Sequence, residues 1–154
     1  MEILLREATE TDLALIMSWR SNPDIYQGFY SQKAPLVWEE HLRWWESRNK
    51  DWHQFIIVLV DDTSFRDIGV ISIGQCDNWN PEIGVFIGEV SLWGKGLAAD
   101  AIGEALKWLR ENGYSQIHTT IKDDNERSIR LVTKLGFQRV CKARKGESRY
   151  EKVL

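Results

Sequence analysis

The sequence predicts an α/β fold, a single mixed, mostly antiparallel sheet of about seven strands flanked by about four helices. Three observations predict it. Short β-branched or alternating runs at 54–60, 68–75, 82–87 and 116–122 have strand length and are bounded by turn residues. Longer stretches, above all 97–111, repeat apolar residues at helical period with charges on the opposite side. The two kinds interleave as β-α-α-β-β-β-α-β-α-β-β, the order of helices packed around one sheet.

Residues 2–8 form a first strand with imperfect alternation. Thr9 caps the helix that follows, with Asp12 near its free amides, and Leu13, Ile16, Met17 and Arg20 fall along one side. Asn22-Pro23 is expected to stop it. Residues 21–36, with Gly28, Pro35, Tyr26, Phe29 and Tyr30, are expected as an irregular loop. Pro35 suits the start of a second helix running to about residue 49, with Trp38, Leu42 and Trp45 as its buried stripe and Glu39, Glu40, Arg43 and Glu46 on wetter sides. The run at 54–60 and the strand at 68–75, joined by a turn at 63–67, make an antiparallel hairpin.

Asn78, Asn80 and Pro81 mark a turn before the strand at 82–87. The best helix follows, with Leu97, Ala101, Ile102, Ala105, Trp108 and Leu109 on one face and Asn112-Gly113 as its stop. After the strand at 116–122, Asp123-Asp124-Asn125 caps a helix whose apolar set is Ile129, Leu131, Val132 and Leu135. Gly136 ends it and Phe137 folds back on its last turn. Segments 138–144 and 149–154 close the chain as a strand pair.

Composition narrows the class. The 154 residues, 43% apolar and 28% charged, suit one domain spanning 1–154 with a real core. A formal net charge of −3 argues against a general nucleic-acid binder. Cys76 and Cys141 lie far apart without metal-ligand spacing, so reduced thiols and a cytoplasmic setting are expected, with no disulfide framework or zinc site. No signal-peptide core or membrane-length apolar run occurs, which predicts a soluble chain. Five of the eight tryptophans precede residue 53, marking that half for an aromatic surface or pocket.

The chemistry is expected at Trp93-Gly94-Lys95-Gly96-Leu97-Ala98. A strand entering a glycine turn and then a helix leaves several backbone amides unpaired where the helix dipole is positive, and this attracts phosphate. Glycine permits left-handed backbone angles and close approach, and Ala98 is small for the same steric reason. The pattern is neither a Walker loop nor the dinucleotide fingerprint, and a tight connection without ligand has the same local sequence.

The strand at 82–87, this turn, and Asn125-Glu126-Arg127-Ser128 leading to Lys134-Leu135-Gly136-Phe137 resemble the acetyl-CoA-binding core of the GNAT family of N-acetyltransferases over nearly the full chain. Of the family pattern Arg/Gln-x-x-Gly-x-Gly/Ala the sequence has Gly96 and Ala98, with Trp93 in the first position. The resemblance implies a GNAT fold in which Val85, Phe86 and Ile87 offer backbone groups to the pantetheine arm. It also implies that residues 93–98 hold the diphosphate of acetyl-CoA and that Asn125 bonds the pantetheine from the other side, with no metal required.

Acetyl transfer to an amine needs a base for the ammonium proton and a donor for the departing thiolate. The resemblance places Glu82 as the base, often acting through water in similar enzymes; a solvated strand-entry charge is the alternative. Val132 stands where many relatives have a tyrosine donor, so Ser128, one turn from Asn125, is the replacement; an ordinary helix-start hydroxyl is the alternative. The acceptor pocket is expected from the first two helices and their loop. There Arg20 would meet a phosphate or carboxylate, Tyr26, Phe29 or Trp44 would stack on a base or sugar, and His41 is a further candidate. Packing is the competing role for Trp19, Trp44 and these aromatics, and a surface or hydrogen-bonded role for His41. The region resembles branches acting on nucleotide-linked amino sugars, ribosomal-protein amino termini and small amines. The expected partner is therefore a small-molecule amine or a peptide N-terminus, with no nucleic acid or membrane, the chain being a monomer or homodimer. A CoA-binding or interaction module without turnover is the alternative function.

Overall fold

Alternation along the strands sorts apolar side chains onto two faces of one sheet. In the computed structural model, which describes residues 1–29, 32–48 and 50–154, seven strands run β1 (Glu2–Glu7), β2 (His53–Val60), β3 (Phe65–Gly74), β4 (Glu82–Ile87), β5 (Gln116–Lys122), β6 (Gln138–Arg144) and β7 (Glu147–Val153). Their order across the sheet is β1-β2-β3-β4-β5-β7-β6. All neighbours are antiparallel except β4 and β5. The five α-helices are α1 (Leu13–Arg20), α2 (Pro23–Tyr26), α3 (Trp38–Ser47), α4 (Leu97–Glu111) and α5 (Glu126–Lys134).

On one face Phe55, Ile57 and Leu59 of β2 join Leu97, Ala101, Ile102, Ala105, Leu106 and Leu109 of α4, with Val132 of α5 and Phe137 in the same cluster. Each leucine or isoleucine buried here contributes roughly 1.5–3 kcal/mol. On the other face Ile56 and Val58 meet Ile16 and Trp19 of α1 and Ile25 of α2. The pleat of β2 therefore supplies both cores, as a run buried on two sides must. Gly136 at φ 92° closes α5, and the Phe137 N–H reaches the Val132 carbonyl at 3.0 Å, as the sequence predicts.

Three local expectations are corrected. α1 does end before Asn22-Pro23, but residues 21–36 are not all loop: the Asn22 side chain accepts from the Asp24 N–H, and Pro23 opens α2, because a proline is pre-set for the first helical position. α3 begins at Trp38 rather than near Pro35, and His41 is its buried residue while Trp38 is 41% exposed. The His41 Nε2 lies 3.2 Å from the Leu13 carbonyl, and that bond compensates its burial. Finally, β3 extends back to Phe65, pairing through a bulge opposite Ile57/Val58. Tyr30 and the expected end of α3 at residue 49 lie outside the described residues.

Candidate active site

β4 and β5 run parallel yet share a single register pair, Glu82 with His118, supported by the His118 N–H donating to the Pro81 carbonyl at 3.0 Å. Beyond that pair the strands part. Backbone groups of β4 that would otherwise bond a neighbouring strand face a cleft of about 830 Å³, lined by residues 83–87 of β4, 119–122 of the β5 side and the starts of α4 and α5. An extended ligand placed there would complete the sheet.

The turn at one end of the cleft is built for an anion. Gly94 and Gly96 sit at φ 79° and 78°, and open space surrounds the position of a Cβ at either one. Gly96 is the residue before α4, no side chain caps that helix, and Gly96, Leu97, Ala98 and Ala99 all line the cleft. Their amides meet the condition for phosphate binding at a helix start. Trp93 anchors the turn by donating from Nε1 to the Ile87 carbonyl at 2.9 Å, tying it to the end of β4. The Arg127 guanidinium lies over the Trp93 ring, 3.9 Å from its centroid. A cation thus reaches this end of the cleft from α5, across the indole.

Asn125 caps α5, its Oδ1 accepting from the Ser128 N–H at 3.2 Å. Its Nδ2 faces Gly28, where a Cβ would lie 3.5 Å away. Lys122 Nζ donates to the Gln27 carbonyl at 3.0 Å, so the end of β5 holds the segment after α2 beside the cleft. Ser128 and Val132, one helical turn apart on α5, both line it.

Glu82 enters the cleft from the start of β4 and is half-buried. Its Oε2 accepts from Gln75 Nε2 at 3.2 Å and lies 3.8 Å from His118 Nε2. Burial raises its pKa above the ordinary carboxylate range, against the opposing pull of Arg149 and Arg144. A carboxylate poised in this way holds a proton more readily than an exposed one, which suits a general base.

Residues 2–138 match the profile of the Acetyltransferase (GNAT) domain. The chain belongs to the GNAT family. It is 45% identical over 152 residues to an uncharacterized protein of Methanocaldococcus jannaschii, covering 97% of this chain and 31% of that one. It is 33% identical over 109 residues to an SPbeta prophage-derived N-acetyltransferase of Bacillus subtilis, covering 68% and 60%. The match thus spans less than two thirds of either relative. Among solved structures, spermidine N-acetyltransferase from Vibrio cholerae in complex with CoA and spermine superposes with a TM-score of 0.85 at 17% identity, over 99% of this chain and 95% of that one.

Within this GNAT chain the cleft gathers Glu82, Val85, Phe86, Ile87, Trp93, Gly94, Gly96, Leu97, Ala98, Asn125 and Ser128, together with Phe29. Lys95 is exposed and does not line it. Four acceptor candidates also lie outside its lining, among them Trp44, which stacks on the His41 ring with centroids 5.6 Å apart. Arg20 donates from Nε to Gln32 Oε1 at 3.1 Å and sits 5.3 Å from the Phe29 ring centroid, making it a strut between α1 and the segment after α2. Tyr26, the last residue of α2, is not part of the lining although Ile25 and Gln27 on either side of it are, and His41 is buried on α3 against the Leu13 carbonyl of α1. Arg127, Gln75 and His118 carry no role in the sequence reading. Arg127 was legible in part, being inside the Asn125-Glu126-Arg127-Ser128 motif. Nothing local marks the other two, because their partner is Glu82 and only the sheet brings them to it.

Proposed function

We propose that the chain is an acetyl-CoA-dependent N-acetyltransferase that moves an acetyl group directly to a primary amine. The supporting observation is the parting of β4 and β5, which sets a raised-pKa carboxylate, a glycine-lined helix start and the Asn125 cap around one cleft. Acetyl-CoA, when bound, supplies the activated thioester. Residues 93–98, apart from the outward Lys95, would hold its diphosphate through backbone amides. Residues 85–87 and Asn125 would flank the pantetheine.

Glu82 takes the proton from the incoming ammonium, directly or through one water, leaving the nitrogen lone pair free to attack. Ser128 gives a proton to the departing sulfur and regains one from solvent, into which the acetylated nitrogen sheds its second proton as the C–S bond breaks. Val132, buried in the cleft wall, excludes water at the position where a hydroxyl donor would otherwise stand. Among the described residues no group of three metal-ligating side chains is assembled. The acceptor class that fits is a small amine: the V. cholerae neighbour named above holds spermine, and carboxylates of Asp24 and Glu82 line the same cleft. A protein amino terminus or an amino sugar remains in the same reaction class.

The experiment is a thiol-release assay with acetyl-CoA against spermine, kanamycin, a nucleotide-linked amino sugar and short peptides, paired with calorimetry. Gly96→Trp, which fills the space in front of the α4 amides, should abolish acetyl-CoA binding; unchanged affinity would remove the coenzyme assignment. Binding without release on any acceptor would return the chain to a silent CoA-binding module.

A further inference from the structure

The polar side of β5 carries a buried histidine that this reaction scheme leaves idle. His118 is 4% exposed, and its Nδ1 lies 3.0 Å from the Asn80 carbonyl and 3.3 Å from Asn80 Oδ1. The orientation of the Asn80 amide is set from outside: its Nδ2 donates to Glu151 Oε1 at 3.2 Å, which turns Oδ1 toward the imidazole. Both neighbours of Nδ1 are therefore acceptors, and Nδ1 carries the proton of the neutral ring. The other nitrogen then presents a lone pair, and the group it faces is the Glu82 carboxylate at 3.8 Å.

Two acceptors repel, and 3.8 Å is longer than a hydrogen bond; a proton on Glu82 makes the pair attractive and lets it close. We infer that His118 is a positioning residue for the base: it accepts a hydrogen bond from Glu82 once Glu82 has taken the ammonium proton, and so holds that proton while the acetyl group transfers. The inference rests on the proposed role of Glu82. The balance is simple. The ammonium N–H bond breaks, an O–H bond forms on Glu82, and this O–H donates to Nε2, the proton leaving to solvent after product departs. Gln75, donating to the same Oε2, keeps the carboxylate turned toward the ring.

The surrounding charges are mixed. Arg149 and Glu151 face the imidazole from β7, and Arg149, Arg144 and Glu147 act on Glu82 from β6 and β7. Burial first, and Arg149 next, lower the His118 pKa, favouring the neutral ring that can accept. Burial raises that of Glu82. The two shifts move the groups toward sharing one proton.

The test is long-range proton–nitrogen correlation NMR on the 15N-labelled full chain, with the three histidines assigned through His118→Asn. The expected result is the Nδ1–H tautomer for His118, with a titration midpoint that falls by about one pH unit in Glu82→Gln as the facing carboxylate is lost. The Nε2–H tautomer, or a titration indifferent to Glu82→Gln, would overturn the inference. Kinetics with spermine as the probe amine form the second arm. His118→Asn, which preserves the donor to Asn80 and deletes the acceptor, should move the acid limb of kcat/KM to lower pH; a lower plateau with an unmoved limb would show a merely structural histidine. Full turnover by Glu82→Gln would instead overturn the base assignment, a result separable from the NMR coupling.

Discussion

Gln75 donates its side-chain amide to the Glu82 carboxylate at 3.2 Å from a backbone held at φ 58°, the sole non-glycine residue with positive φ among those described. A left-handed residue with a Cβ costs roughly 1–2 kcal/mol. The conformation turns the end of β3 so that its side chain reaches β4 at the cleft, two strands that pair with Gly74 opposite Glu82. Strain at the edge of a site is here coupled to the orientation of the group proposed as base.

Gln75→Gly tests that coupling. Relief of the left-handed strain and the greater chain entropy of glycine are each about 1 kcal/mol and opposed, so urea unfolding should show nearly unchanged stability. Loss of the hydrogen bond should lower the acetyl-transfer rate about three- to tenfold. An unchanged rate would mean that Gln75 does not orient Glu82.

Arg127 over Trp93 predicts a shared contribution to coenzyme affinity. Arg127→Ala and Trp93→Ala should each weaken acetyl-CoA binding roughly tenfold, and the double variant should lose less than the product of the two, since either change removes the stacked cation. Calorimetry at two salt concentrations checks it. The arginine effect should shrink as salt rises, and fully multiplicative losses would separate the two residues.

Gly88→Ala addresses the wall between α1 and β4. An added Cβ would lie 2.2 Å from Cδ2 of the Trp19 indole, and Trp19 in turn packs edge-on against Phe86 with centroids 6.2 Å apart. Overpacking of this kind costs about 1–3 kcal/mol. Thermal melting should show the loss, with weakened acetyl-CoA binding because Phe86 lines the cleft. Melting identical to that of the parent chain would place Trp19 elsewhere.

The Arg6–Asp12 pair predicts the acid side of the stability profile. Arg6 donates to both Asp12 oxygens at 2.9 and 2.8 Å and to Asp67 Oδ2 at 2.9 Å. The Arg6 hydrogen bonds hold the Asp12 carboxyl below the ordinary aspartate range, against burial, which acts the other way. A depressed pKa contributes stability that is present above the unfolded value of about 3.9 and is lost as pH falls through the lower folded value. Arg6→Leu should therefore destabilise the chain by about 1–2 kcal/mol at neutral pH, discounted because Arg6 is 40% exposed. It should also flatten the decline below about pH 4 in urea titrations. A variant with the parental acid slope would contradict the pairing.

Local periodicity by itself determined the strands at 54–60, 82–87 and 116–122, the long α4 with its apolar face, and the glycine turn, since each depends on residues within a few positions of one another. Where two local signals competed, tertiary packing chose. Trp38, Leu42 and Trp45 share a helical spacing that suits burial, yet α3 turns His41 inward because the Leu13 carbonyl offers it a partner. The environment of Glu82 was decided by tertiary structure alone. Gln75 and His118 lie 7 and 36 positions from it in the chain; the antiparallel β3–β4 pairing brings Gln75 to it and the one parallel pairing, β4 with β5, brings His118. Arg127 on Trp93 has the same origin. Apolar period records which side of an element is buried; which polar groups then face each other depends on strand order, and that is a property of the whole sheet.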